Sequence, residues 1–215
     1  MKYPIQCFIL AAGVIILIFL FQSNISHFSN RKYIRASFDG KLYQIVNSFE
    51  GGTKAANNLA QINTFLLGVL KHMKKKYVNN PSPRTYVQRV NTQRLLDLYN
   101  PDVLRENNPA GPINTSFVIN KGDEIAFCLR EKYTGENKLH DFETLKFVAL
   151  HEMAHIMTIA YGHEDDFWQN FKFLVNEAAE TGTYVPVDYK KYPIDYCSLK
   201  IDYNPLYDDT LAFPF

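Results

Sequence analysis

The first regular feature along the chain is a run of apolar positions with no period at all. From Cys7 to Phe21 the sequence reads CFILAAGVIILIFLF, and Tyr3, Pro4 and Ile5 extend the run with only Gln6 interrupting it. At 1.5 Å per residue such a run approaches the bilayer core of about 30 Å, so it predicts one transmembrane helix over 1–22. A cleaved signal peptide is the rival reading, but QSNISHF after Phe21 offers no A-x-A-like cleavage site. The polar stretch 23–37, with several Ser and Asn, reads as a tether. Residues 38–215 then read as one globular domain.

Helical and strand periods follow. Leu59, Ile62, Leu66, Val69 and Met73 recur at three- and four-residue steps, which predicts a helix from Lys54 to Tyr77. The cluster Lys71, His72, Lys74, Lys75 and Lys76 suits its last turn, where the helix dipole favours cations. After Asn79-Asn80-Pro81-Ser82-Pro83 breaks the chain, a second helix is predicted over Thr85 to Tyr99, with Val87, Val90, Leu95 and Leu98 inward. Ser116 to Ile119, the turn residues Asn120-Lys121-Gly122-Asp123, and Glu124 to Arg130 predict a hairpin. Asp141 is placed to cap a helix running to Met157, and Phe167-Trp168 starts another with Phe171, Leu174 and Val175 inward. The tail from Gly182 onward holds many Tyr, Pro and Asp with no period and is expected to lie irregularly over the core. Several helices with a few short strands predict an α+β domain.

The helix after Asp141 carries the chemistry. His151 and His155 are four residues apart, so their imidazoles project from one face, one turn above the other. Two neutral ring nitrogens so placed can reach one Zn²⁺ at about 2.0–2.1 Å. Glu152 stands beside the first histidine, where it can take a proton from a zinc-activated water as general base. Chance is a poor explanation: a chain of this composition is expected to hold about 0.008 such His-Glu-x-x-His patterns. The neighbours Val148, Ala149, Leu150, Met153, Ala154, Ile156 and Met157 are uncharged, which predicts a buried helix. A catalytic zinc usually takes three protein ligands. His163 is the favoured third, because Gly162 permits the bend that would bring it back; Glu177 is the rival.

The 215 residues carry 23 Lys+Arg against 22 Asp+Glu, a net charge of +1. That balance argues against a nucleic-acid partner, whose phosphates attract uncompensated cations. The hydrophobic content of 47% argues against wholesale disorder. Three cysteines do not make a disulfide framework. Cys128 and Cys197 are expected as free thiols if the domain faces a reducing cytoplasm, the side favoured by Arg31, Lys32 and Arg35, and as a bridge if it faces outward.

Val148 to Met157, followed by Gly162-His163 and Phe167-Trp168, resembles the zincin metallopeptidases, and within them the WLM and SprT-like group. More loosely, the apolar start, Asn120-Lys121-Gly122 ahead of Cys128-Leu129-Arg130, and the tail with Tyr196-Cys197 and Asn204-Pro205-Leu206 are similar to uncharacterised proteins of large DNA viruses. The resemblance implies a zincin-like fold, with the active-site helix against a small sheet, preceded here by one transmembrane helix. It implies a zinc peptidase acting on a protein or peptide, with His151, His155 and His163 on the metal and Glu152 as base, which the apolar run 1–22 would make a single-pass membrane-anchored enzyme. It also implies an edge strand above that helix on which an extended substrate adds, for which Glu124 to Arg130 is the candidate. A tyrosine that assists the reaction could be Tyr161, Tyr184, Tyr189, Tyr192 or Tyr196. The alternative is a metal-stabilised structural or virion membrane protein without catalysis.

Overall fold

A computed structural model describes residues 30–108, 111, 113–131 and 138–214. In chain order its elements are β1 (Arg31–Arg35), β2 (Leu42–Val46), α1 (Gly52–Met73), α2 (Tyr86–Leu98), β3 (Leu104–Glu106), β4 (Phe117–Ile119) and β5 (Glu124–Phe127), then α3 (Phe142–Met157), α4 (Asp165–Glu180), β6 (Ile194–Tyr196) and β7 (Leu199–Ile201). Five strands form one sheet in the order β1-β2-β3-β5-β4, and β6 pairs with β7 alone. β1/β2 and β4/β5 are antiparallel, while β2/β3 and β3/β5 are parallel. Parallel neighbours need a long crossover, and α1 and α2 supply the one between β2 and β3.

The stripe expected on α1 is the side it buries: Leu59, Ile62, Leu66, Val69 and Met73 are all at most 2% exposed. They join Leu145, Ala149, Leu150 and Ala154 of α3 and Phe171, Leu174 and Val175 of α4 in a single core. α2 is rotated from expectation. Leu95 is buried as expected, but Val90 and Leu98 are exposed, and Thr92 faces inward instead.

Three expectations change. Among the described residues no helix is long and apolar enough to cross a membrane. This corrects the expected fold, a catalytic domain behind a transmembrane helix, to an α+β architecture of helices and a sheet, and withdraws the single-pass membrane localisation with it; the predicted span 1–22 lies outside the described residues. Residues 31–35, read as part of the tether, form β1, an outer strand whose Lys32 and Tyr33 face solvent and so look like linker in the sequence. Glu124 to Arg130 is not an edge. Its strand ends at Phe127 and lies between β3 and β4, so the outer strand on this side is β4. β3 was not anticipated because its three residues are all buried although two are charged. Arg105 pairs with Glu124, and Glu106 Oε1 accepts from Arg130 Nε at 2.6 Å. A buried ion pair reads in sequence as solvated loop.

Candidate metal centre

α3 begins where Asp141 caps it: the carboxylate Oδ1 accepts from the N–H groups of Glu143 at 3.0 Å and Thr144 at 3.1 Å. It ends at Thr158, whose extended backbone (ψ 135°) breaks the helical path. The carbonyls freed there are held by cations. Lys121 Nζ, from the β4–β5 turn, donates to His155 O at 2.9 Å and Ala160 O at 2.6 Å, and Arg94 Nε donates to Ile156 O at 3.3 Å. The chain then turns through Gly162, at φ +88°, a backbone region open to glycine at little cost. That turn returns His163 to the histidines of α3.

His151 Nε2 lies 3.2 Å from His155 Nε2 and 3.1 Å from His163 Nε2. All three rings rest on Phe167, whose centroid is 4.9, 4.4 and 4.5 Å from those of His151, His155 and His163. Phe167 is fully buried. Burial, together with the mutual repulsion of charged imidazoles, holds the His151 pKa well below its ordinary value and brings His155 down to about 4; burial also lowers His163. The set is therefore neutral at physiological pH, the form that donates lone pairs. Glu152 is buried in apolar surroundings that push its pKa up to about 8, and its Oε2 has no hydrogen-bond partner among the described residues. The three histidines and Glu152 open on one cavity of about 550 Å³, which Ser116, Phe117 and Val118 of the β4 side also line.

The WLM domain family matches residues 101–191, a span that holds α3, α4 and every residue of this cluster. An uncharacterised protein of Acanthamoeba polyphaga mimivirus is 30% identical over 194 residues, covering 90% of this chain and 92% of its own length. The chain belongs to the WLM-domain family. A second relative of this WLM-domain chain, an uncharacterised protein of Invertebrate iridescent virus 6, is 39% identical over 69 residues, 32% of this chain and 38% of its own length. No solved structure matches.

Glu177, the rival third ligand, is not brought to the histidines of the WLM domain. It is buried beneath the end of α1, where Oε1 accepts from Tyr77 OH at 2.7 Å and Lys76 Nζ at 2.9 Å, and Oε2 lies 3.1 Å from His72 Nε2. The cation in that cluster is the protein's own ammonium. Of the five tyrosines left open, Tyr161 and Tyr196 line the cavity of the WLM domain; Tyr184 and Tyr189 are packed in the core and Tyr192 faces solvent. Tyr203, not among them, lines the cavity too. Lys121 and β4 were also missed as parts of the site, while Phe167 stood in the motif with Gly162-His163 and Trp168. Only Phe167 carried a signal, since its position four residues past His163 starts the apolar face of α4.

Proposed function

We propose that this protein is a zinc-dependent peptidase whose metal is held by His151, His155 and His163 and whose general base is Glu152. The observation that carries the reading is the convergence of three ring nitrogens, those of His155 and His163 lying 3.2 and 3.1 Å from His151 Nε2. One nitrogen cannot pair well with two others that both offer lone pairs, so the cluster is poorly satisfied by itself. Nitrogens bound at about 2.0–2.1 Å to one tetrahedral ion lie about 3.3 Å apart, which is close to the separations found. An all-imidazole donor set suits zinc. Membership in the WLM-domain family, which is metallopeptidase-like, supports the same reading.

Zinc bound there would polarise both a water and the substrate carbonyl. The chain's own residues do the rest. Glu152, with one carboxylate oxygen unpartnered, takes the proton of the attacking water and returns it to the leaving nitrogen. A cation nearby favours its carboxylate form and offsets the upward push of burial. The free side of β4 offers backbone groups to an extended peptide, which would lie across the cavity above α3.

The test is Glu152→Gln in full-length protein. Zinc content by elemental analysis should stay near one per chain, while cleavage of a peptide library falls by about 10²-fold or more. Turnover that survives the substitution, or wild-type protein purified without zinc, would overturn the assignment.

A further inference from the structure

The cavity beside the histidines has an apolar lining that proton transfer does not need. Phe147 and Val148, one turn ahead of His151 on α3, and Trp168 and Phe171 of α4 face into it. The tail after β6 adds Leu199, Ile201 and Tyr203, with the oppositely charged Lys200 and Asp202 alternating between them. Their rings form a continuous surface: centroids are 5.0 Å apart for Phe147 and Phe171, 6.3 Å for Trp168 and Phe171, and 5.2 Å for the edge-on pair Trp168 and Tyr203. His163 joins it through Trp168 at 5.8 Å. Its volume of about 550 Å³ falls in the range of about 300–1,000 Å³ typical of ligand pockets.

The tail is latched in place. Cys197, at the β6–β7 turn, is bridged to Cys128. Cys128 N–H donates to Ser116 Oγ at 3.0 Å, Ser116 Oγ lies 2.6 Å from Tyr196 OH, and Tyr196 OH donates to Cys128 O at 2.8 Å, closing a buried ring of hydrogen bonds. Asn204 Nδ2 donates to Val187 O at 2.8 Å beyond the hairpin. Leu199, although it lines the cavity, is 55% exposed, so it has apolar surface left to bury against an occupant. The matched family span ends at residue 191, so the β6–β7 hairpin and Tyr203 lie outside it, whereas Phe147, Val148, Trp168 and Phe171 lie within.

On the peptidase reading above, we propose that this wall selects a large apolar side chain, aromatic or aliphatic, of an extended peptide, and that the selection is made by the β6–β7 hairpin and Tyr203. Binding can be read without turnover, because Trp168 is the single tryptophan and stands against Tyr203. Acetylated and amidated alanine-based heptapeptides with Phe, Leu, Lys or Glu at the centre would be titrated into zinc-loaded, full-length Glu152→Gln protein while Trp168 fluorescence is followed. The Phe and Leu peptides should bind at least about tenfold more tightly than the Lys and Glu peptides, equal to about 1.4 kcal/mol. Tyr203→Ala, and the exposed Leu199→Asp if the first does not fold, should shrink that ratio to about threefold or less with zinc retained. Equal affinities, no saturable binding of the Phe peptide, or an undiminished ratio in the folded variants would overturn the proposal. Selective binding of peptides that wild type never cleaves would retire the peptidase reading and leave the selection standing; cleavage without preference would do the reverse.

Discussion

Breaking the bridge between Cys128 and Cys197 should cost the fold more than any surface change. The two cysteines are 69 positions apart, with Cα atoms 6.5 Å from each other. For a closed loop of about 70 residues the chain-entropy relation gives about 15 cal/mol/K, or about 4.4 kcal/mol at 25 °C. The ring through Ser116 and Tyr196 and the Cys197 N–H bond to His140 Nε2 at 3.3 Å do not depend on sulfur and keep the reduced chain folded, while residual structure in the unfolded chain makes the measured effect of a bridge smaller than this figure. The expected loss is therefore about 2–4 kcal/mol. It would be measured by urea unfolding followed through Trp168, comparing oxidised protein, protein in a phosphine reductant, and the paired Cys128→Ala and Cys197→Ala variant. The last two should agree. Thiol titration of the unreduced chain in denaturant should find one reactive sulfur, from Cys7, out of three cysteines. Three reactive thiols, or a stability loss below about 1 kcal/mol, would refute the reasoning.

Exchanging His163 and Glu177 separately for Ala should separate ligand from support. Only the His163 change should release zinc, whereas Glu177→Ala should lower stability by about 2–3 kcal/mol, less than for a fully buried pair because Lys76 is partly solvated. Zinc lost from the Glu177 variant alone would reverse the assignment. Phe167→Ala empties the floor under three rings and should cost about 3–5 kcal/mol in denaturant unfolding; a change under about 1 kcal/mol would show that the site does not depend on that packing. Asp141→Ala removes the cap of α3 and should cost about 1 kcal/mol, visible as a lower unfolding midpoint with zinc content unchanged.

What could be read from the sequence was local. A helix sets the direction of a side chain by counting residues, so His151 and His155 sharing a face, Asp141 as cap, and the buried stripe of α1 all followed from spacing. The Gly162 turn belongs here too, since the backbone it needs is a property of one residue. Pairing between distant segments was not legible, because it depends on which surfaces bury each other. β3 is too short and too charged to announce itself, yet its insertion moves β5 away from the edge and leaves β4 beside the histidines. Glu177 looked like a ligand beside His151 or a solvent charge, and the packing of α4 against the end of α1 places it among His72, Lys76 and Tyr77 instead. The tail showed no period because disulfide and side-chain bonds hold its path as much as its one short hairpin, and those join residues up to 80 positions apart. Sequence alone thus determined which groups could gather on one helix and its following turn; the tertiary fold decided what encloses them, since enclosure is a matter of surfaces meeting across the chain.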